Sequence, residues 1–432
     1  AGFLSAWALE IQGVDSIEYN LPHWRHISKE RPELPDIDFD TPPSRRQNLI
    51  LATKNYFGKN KVLNIATFKT EGSKSSIQTA CRGYRSEEYP YGIDNDEADF
   101  LSSFIKYERG FAWSISDTYY VNVSKDRDAS KEFVKQIDQY PGLLEIALKV
   151  EGLISGRSIH ASGVYIYQDD YTKYNAMMKA PNGQPTTQFD MSDSDYQGGL
   201  KFDYLTVTAM DTIQTTLGLL IEEGYVEEKE TLKETYNSIL AVDKLVDSED
   251  YWKHAYNREM LSLFQFDTAV GGDAISKVKP HNVLEAAHVN SLMRLMATER
   301  GGEAPTDKFV RFKGNIQHWY EEMKQYKLTN EEVKVLEKHL KPVYGVAATQ
   351  EELMVMSMDK EIAGFSLTQA NKLRKAVAKK KADVMLQVRA EFFESGEACG
   401  TSKNMLNYVW DYVAMPQAGY SFSSLHTTGY TL

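Results

Sequence analysis

Apolar and polar positions repeat with two different periods along this chain, and the change of period divides it. Over residues 34–40, apolar and acidic side chains alternate. That is the period of a strand, so Asp36, Asp38 and Asp40 share one face while Ile37 and Phe39 take the other. Ser44 then precedes a helical stretch through Tyr56 with Leu49, Ile50 and Ala52 inward, and Gly58 is placed to close it. Residues 62–68 read as the next strand, which predicts a strand, helix, strand unit. Residues 70–155 are mainly helical and polar with scattered aromatics, the pattern of an inserted lobe. Strand signals return at 163–168 and 200–207, two β-branched and aromatic runs bounded by glycine and polar turns. Beyond about residue 209 the helical period dominates. Asp211 is the expected cap of a helix over 212–223 that ends at Gly224, and Thr329 with Glu332 forms a capping box ahead of Val333, Leu336 and Leu340.

Bulk properties narrow the class. A chain of 432 residues with 42% hydrophobic and 25% charged residues can close two or three cores, and it shows neither a biased tract nor a fixed repeat. Cys81 and Cys399 are too few for a disulfide framework and have no metal-ligand spacing, which fits a reducing compartment. No apolar run approaches the ~18 to 20 residues that span a bilayer, and the start lacks the form of a signal peptide. The expectation is a cytoplasmic protein with no membrane partner. A net charge of −12 argues against a protein that coats a polyanion, yet basic residues cluster twice. One cluster is Arg45, Arg46, Lys54, Lys59 and Lys61; the other is Lys372, Arg374, Lys375, Lys379, Lys380 and Lys381. Each is either a solvated face or an anion contact.

The candidate chemistry lies in the acids. Clustered aspartates on a strand repel one another unless solvent or a cation separates them. The calcium loop is excluded by spacing, since its sixth and twelfth positions here are Thr41 and Gln47. A solvated acidic edge strand remains open on this segment alone. Asp203 changes the balance: it stands between Phe202 and Tyr204 in a strand expected to be largely buried, where a carboxylate needs a partner. If the two strands are neighbours, Asp36, Asp38 and Asp203 meet, and their hard oxygens suit two Mg²⁺ ions about 4 Å apart for phosphoryl transfer.

The motifs then fall into the order of a known family. Pro35-Asp-Ile-Asp-Phe-Asp40, Ala66-Thr-Phe-Lys-Thr-Glu-Gly-Ser-Lys74, His160-Ala-Ser-Gly-Val164, Thr187-Gln-Phe-Asp190, Lys201-Phe-Asp-Tyr-Leu205 and Leu263-Phe-Gln-Phe266 occur in succession. Tyr344-Gly, Gln350-Glu351, Leu373-Arg-Lys-Ala376, Lys379-Lys-Lys381 and Gly419-Tyr-Ser-Phe422 with His426 and Tyr430 follow. With them the chain resembles the bacterial C-family DNA polymerases, the alpha subunit of DNA polymerase III and its relatives, in a divergent phage-type form. The resemblance implies an α/β palm of the nucleotidyltransferase, polymerase beta-like type with an inserted helical thumb, followed by a mainly α-helical fingers domain. It divides the chain into palm at 1–67 and 159–208, thumb at 68–158, and incomplete fingers at 209–432.

Carried over to this chain, the resemblance implies metal-binding, catalytic Asp36, Asp38 and Asp203, with Asp40 a further acid. It implies two Mg²⁺ ions, Lys74, Lys201, Arg374 and Lys379 at the nucleotide or primer, and Lys375, Lys380 and Lys381 on DNA. The implied substrates are primed template DNA and dNTPs, and the implied partners are other replisome subunits or an amino-terminal segment. Departures accompany it. The family's Gly-Ser triphosphate motif would fall before Ala1, residues 295–302 replace a proline-glycine element, and Gln78 stands where the family has arginine. His160 and Cys81 read as packing or hydrogen-bonding residues. The competing expectations are a non-catalytic DNA-binding or assembly subunit derived from such a polymerase, and a nucleotidyltransferase that uses no template.

Overall fold

A computed structural model describes residues 4–9, 11–25, 37–108, 111–125, 127–241, 249–259, 263–295, 302–379 and 382–432. The chain forms two compact units, one of Leu34–Thr206 and one of Ala1–Glu33 with Val207–Leu432. No described helix is long and apolar enough to cross a membrane.

The first unit is built on strands β1 (Ile37–Thr41), β2 (Val62–Thr70), the short pair β3 (Tyr107–Glu108) and β4 (Phe111–Ala112), and then β5 (Ile154–Ile166), β6 (Met177–Lys179), β7 (Pro185–Thr187) and β8 (Leu200–Thr206). Six of them make one mixed sheet in the order β1-β8-β5-β2-β7-β6, and β3 and β4 form a separate two-stranded pair. Alternation sorts their side chains to two faces. Val62, Val164, Ile166 and Tyr204 pack with Ile50 of helix Arg46–Phe57 on one side. Leu63, Ile65, Tyr165, Tyr167 and Tyr171 form a cluster on the other. The helix begins at Arg46, after a 3-10 turn at Pro43–Arg45, and Gly58 ends it with φ +109° as expected. It turns Thr53 rather than Ala52 to the sheet, because the next inward position is three residues beyond Ile50. The Thr53 hydroxyl lies 2.6 Å from the Tyr204 hydroxyl.

Between β2 and β5 lies a helical lobe with its own core, which includes Ile77, Leu101, Ile115, Phe133 and Leu143. The aromatic residues of this stretch divide. Tyr84 packs edge to face on Tyr89 and Tyr140, whereas Tyr91 and Phe111 are exposed. Cys81 is fully buried, which pushes its thiol up to about 11, so it has no thiolate chemistry near neutral pH.

The second unit is helical around a continuous apolar core that includes Phe309, Phe312, Trp319, Leu336, Leu373 and Tyr408. The capping box of Thr329 and Glu332 is present in full. The helix expected to start after Asp211 instead spans Thr208–Glu222, with Asp211 inside its first turn. An aspartate there favours the positive end of the helix dipole as a cap does, so the residue signalled a helix start but not its register. Gly224 follows that helix with φ +79°.

Candidate active site

β1 and β8 are neighbours. They run parallel, and Asp38 is in register with Asp203. Residues in register point to the same face of a sheet, so the two aspartates project side by side from backbones about one strand spacing, ~4.8 Å, apart. Phe39 lies against Phe202 and Tyr204 on the opposite face, which fixes the orientation of the acidic one. Asp40 shares the acidic face by alternation; its surface is open, yet crowding by protein atoms raises its carboxyl pKa through lost hydration. Asp36 lies outside the described residues.

Asp203 is 15% exposed and partnered on both oxygens. The Lys201 ammonium lies 2.6 Å from Oδ2, and the Ser162 hydroxyl donates to Oδ1 at 3.0 Å. Lys201 reaches it because positions two apart on a strand share a face. Gly163 is opposite Asp203 on β5, and a Cβ there would lie 3.0 Å from Asp203 Oδ1 and 2.6 Å from Ile65 Cδ1. The missing side chain lets the two strands come together beside the carboxylate.

Two groups that the sequence reading did not assign to the site flank this acid. The Arg46 guanidinium donates to the carbonyls of Tyr204 at 3.3 Å and Ser162 at 3.2 Å, tying β8 to β5 next to Asp203, and burial lowers its pKa. His160 accepts at Nδ1 from the backbone N–H of Gly163 at 2.7 Å and of Ser162 at 3.3 Å. Its neutral form therefore carries the proton on Nε2. Burial lowers the imidazole pKa; Asp203 opposes that shift, and Lys201 and Arg46 add to it. Arg46 had stood in the sequence only as part of a basic cluster; the β5 residues had appeared in the family motif His160-Ala-Ser-Gly-Val164, with His160 read as a packing or hydrogen-bonding residue and Gly163 as the start of a strand.

The other candidates lie elsewhere. Lys74 is on helix Ser73–Gly83 with its ammonium 5.0 Å from the centre of the Tyr107 ring, a contact inside the helical lobe. Gln78 on the same helix donates to Asp99 at 2.6 Å. In the second unit, Arg374 on helix Leu367–Lys379 donates to Gln350 Oε1 at 3.1 Å and to Asn371 Oδ1 at 3.3 Å. Gln350 Oε1 also accepts from Arg25, which pairs with Glu351. Lys375 and Lys379 are on that helix. Lys380, Lys381 and residues 296–301 lie outside the described residues.

Among the described residues no group of three or more His, Cys, Asp and Glu side chains is placed to hold a metal ion. Asp38 and Asp203 supply two adjacent carboxylates on one face, hard oxygen donors whose chemistry fits Mg²⁺ rather than zinc.

Two family models match the chain: that of the bacterial DNA polymerase III alpha NTPase domain over residues 1–206, and that of the bacterial DNA polymerase III alpha subunit finger domain over residues 226–400. A DNA-directed DNA polymerase of Bacillus phage SPbeta is 50% identical over 433 residues, covering 100% of this chain and 32% of the relative. A probable DNA polymerase of Bacillus subtilis (strain 168) matches with the same identity and coverage. The DNA polymerase III subunit alpha of Thermus aquaticus is 27% identical over 440 residues, again with 100% of this chain and 32% of the relative covered. The chain spans about a third of the length of these relatives.

Proposed function

Because the chain belongs to the bacterial DNA polymerase III alpha family, we propose that it carries the acidic half of the active centre of a template-directed DNA polymerase. The reaction is addition of dNTPs to a primer 3′ end. The observation that carries the reading is the register of β1 on β8, which sets Asp38 beside Asp203.

In this reading Leu34–Thr206 is palm with an inserted thumb and the helical unit supplies the fingers. Asp38 and Asp203, with Asp36, are the ligands of two Mg²⁺ ions, which when bound stabilise the attacking and leaving oxygens of nucleotidyl transfer. The protein's own part is to hold the carboxylates oriented. Lys201 offsets their charge and presents an ammonium to phosphate, while Arg46 and Ser162 keep β8 and β5 locked around Asp203. Lys74, Arg374 and Lys379 are assigned to phosphates of the nucleotide or primer, and Lys375, Lys380 and Lys381 to the DNA backbone. Template base pairing supplies sequence choice, so phosphate contacts dominate the protein's share of binding. Other replisome subunits are the expected partners.

Primer extension with Mg²⁺ and the four dNTPs tests this. Asp203→Ala is expected to lower the rate by about 10²-fold or more while primed DNA still binds. Undiminished extension by that variant, or a parent protein that binds primed DNA and extends nothing, would sink the catalytic reading; the second outcome favours an assembly role.

A further inference from the structure

β5 does not run evenly along β2. Asn64 pairs with Val164 and Ala66 pairs with Ile159, so a single β2 residue, Ile65, faces a four-residue excursion of β5, His160 to Gly163. An insertion of this kind removes backbone groups from the ladder and re-aims the side chains it carries. Here the freed N–H groups of Ser162 and Gly163 both point at His160 Nδ1, at 3.3 and 2.7 Å. On the outer side the Ser162 carbonyl accepts from Arg46. The excursion is thus closed from within by an imidazole and braced from outside by a guanidinium. Its product is one aimed hydroxyl, Ser162 Oγ, 3.0 Å from Asp203 Oδ1. Gly163 completes the fit, since a Cβ there would stand 3.0 Å from both Asp203 Oδ1 and His160 Nδ1.

We infer that His160 is a positioning residue for nucleotidyl transfer: as a hydrogen-bond acceptor it closes the β5 excursion whose Ser162 hydroxyl fixes the rotamer of Asp203. The inference rests on Asp203 being a metal ligand. Its chemistry requires only an acceptor at the Nδ1 position, not a proton carrier. A carboxylate held at Oδ1 by Ser162 and at Oδ2 by Lys201 has one orientation instead of several, so a cation meets a pre-set donor. Loss of an outer partner of this kind commonly weakens metal affinity by about 10- to 100-fold.

The test compares His160→Ala, His160→Asn, Ser162→Ala and Asp203→Asn in the intact protein. Two quantities are read: Mn²⁺ binding by electron paramagnetic resonance, and the Mg²⁺ concentration for half-maximal primer extension. His160→Ala is expected to weaken Mn²⁺ binding and raise the Mg²⁺ requirement by about 10-fold or more. His160→Asn, whose amide oxygen takes the place of Nδ1, is expected to recover most of that loss. Ser162→Ala shifts both quantities the same way. A merely structural histidine would lower the melting temperature without moving either quantity. Unchanged metal dependence in both His160→Ala and Ser162→Ala overturns the inference, as does a folded His160→Asn no better than His160→Ala. Should His160→Ala fail to fold, Ser162→Ala decides alone. Mn²⁺ binding untouched by Asp203→Asn instead identifies the metal-ligand reading as the part that failed, and the inference falls with it.

Discussion

Asp117, in the helical lobe, shows how a buried acid is kept ionised by its neighbours. Its burial works against ionisation, but hydrogen bonds from Lys125 at 2.7 Å, Asn122 at 2.7 Å and Arg127 at 2.5 Å together outweigh that and hold the carboxyl at about 2. A folded-state value below the unfolded one gives stability that is fully present above the unfolded pKa of 3.8 and lost as pH falls through about 2. Acid titration followed by circular dichroism should therefore show the lobe intact at pH 5 and weakening below about pH 4. Asp117→Ala is expected to cost about 1 to 3 kcal/mol in urea denaturation, since it removes the shared acceptor of Lys125, Asn122 and Arg127 and leaves Arg127 only its pair with Glu108 and its contact with Trp113. Not every such residue was legible. Asp203 could be read from sequence because an acid between Phe202 and Tyr204 needs a partner. Arg46 could not, because its acceptors are backbone carbonyls of strands more than a hundred residues away, and carbonyls leave no trace in side-chain identity.

At the scale of elements, regular periodicity was readable and departures from it were not. The alternation survives in β8, where Phe202 and Tyr204 pack on one face and Lys201 and Asp203 share the other; on β1 it survives although Phe39 touches those rings and stays partly open to solvent. β5 was expected only from Gly163 onward, yet it starts at Ile154. Its first half is polar and partners the equally polar end of β2, where burial imposes no pattern. The excursion at His160 resets the alternation midway, which is why a two-residue period could not span it. Helix starts were legible where a reciprocal pair of bonds set them. At Thr329, both the threonine side chain and Glu332 complete the box, and the helix begins at Asn330. Thr329→Ala is expected to cost about 1 kcal/mol in chemical denaturation without altering metal dependence. A change under a few tenths of that would show that the cap contributes little beyond packing.

Over the whole molecule, the net charge of −12 sets a testable limit on the proposed binding of DNA. A protein repelled on average by a polyanion must bind it through local basic groups, so affinity for primed DNA is expected to fall steeply with salt. Replacing Lys375 and Lys379 with alanine should weaken binding evenly across template sequences and reduce the salt slope by about one per lysine. A slope identical to the parent's would remove those lysines from the DNA contacts. Ordered motifs made the family legible, but strand order was not: nothing in the sequence states that the last strand to be made lies between the first and β5. That placement has a consequence for synthesis. Asp38 emerges early and Asp203 near the end of the unit, and only insertion of β8 brings them together. A nascent or clipped chain that stops short of Leu200 therefore has acids but no centre. Under the proposed assignment the site doubles as a completeness check, since the two acids do not meet before the unit that surrounds them has closed.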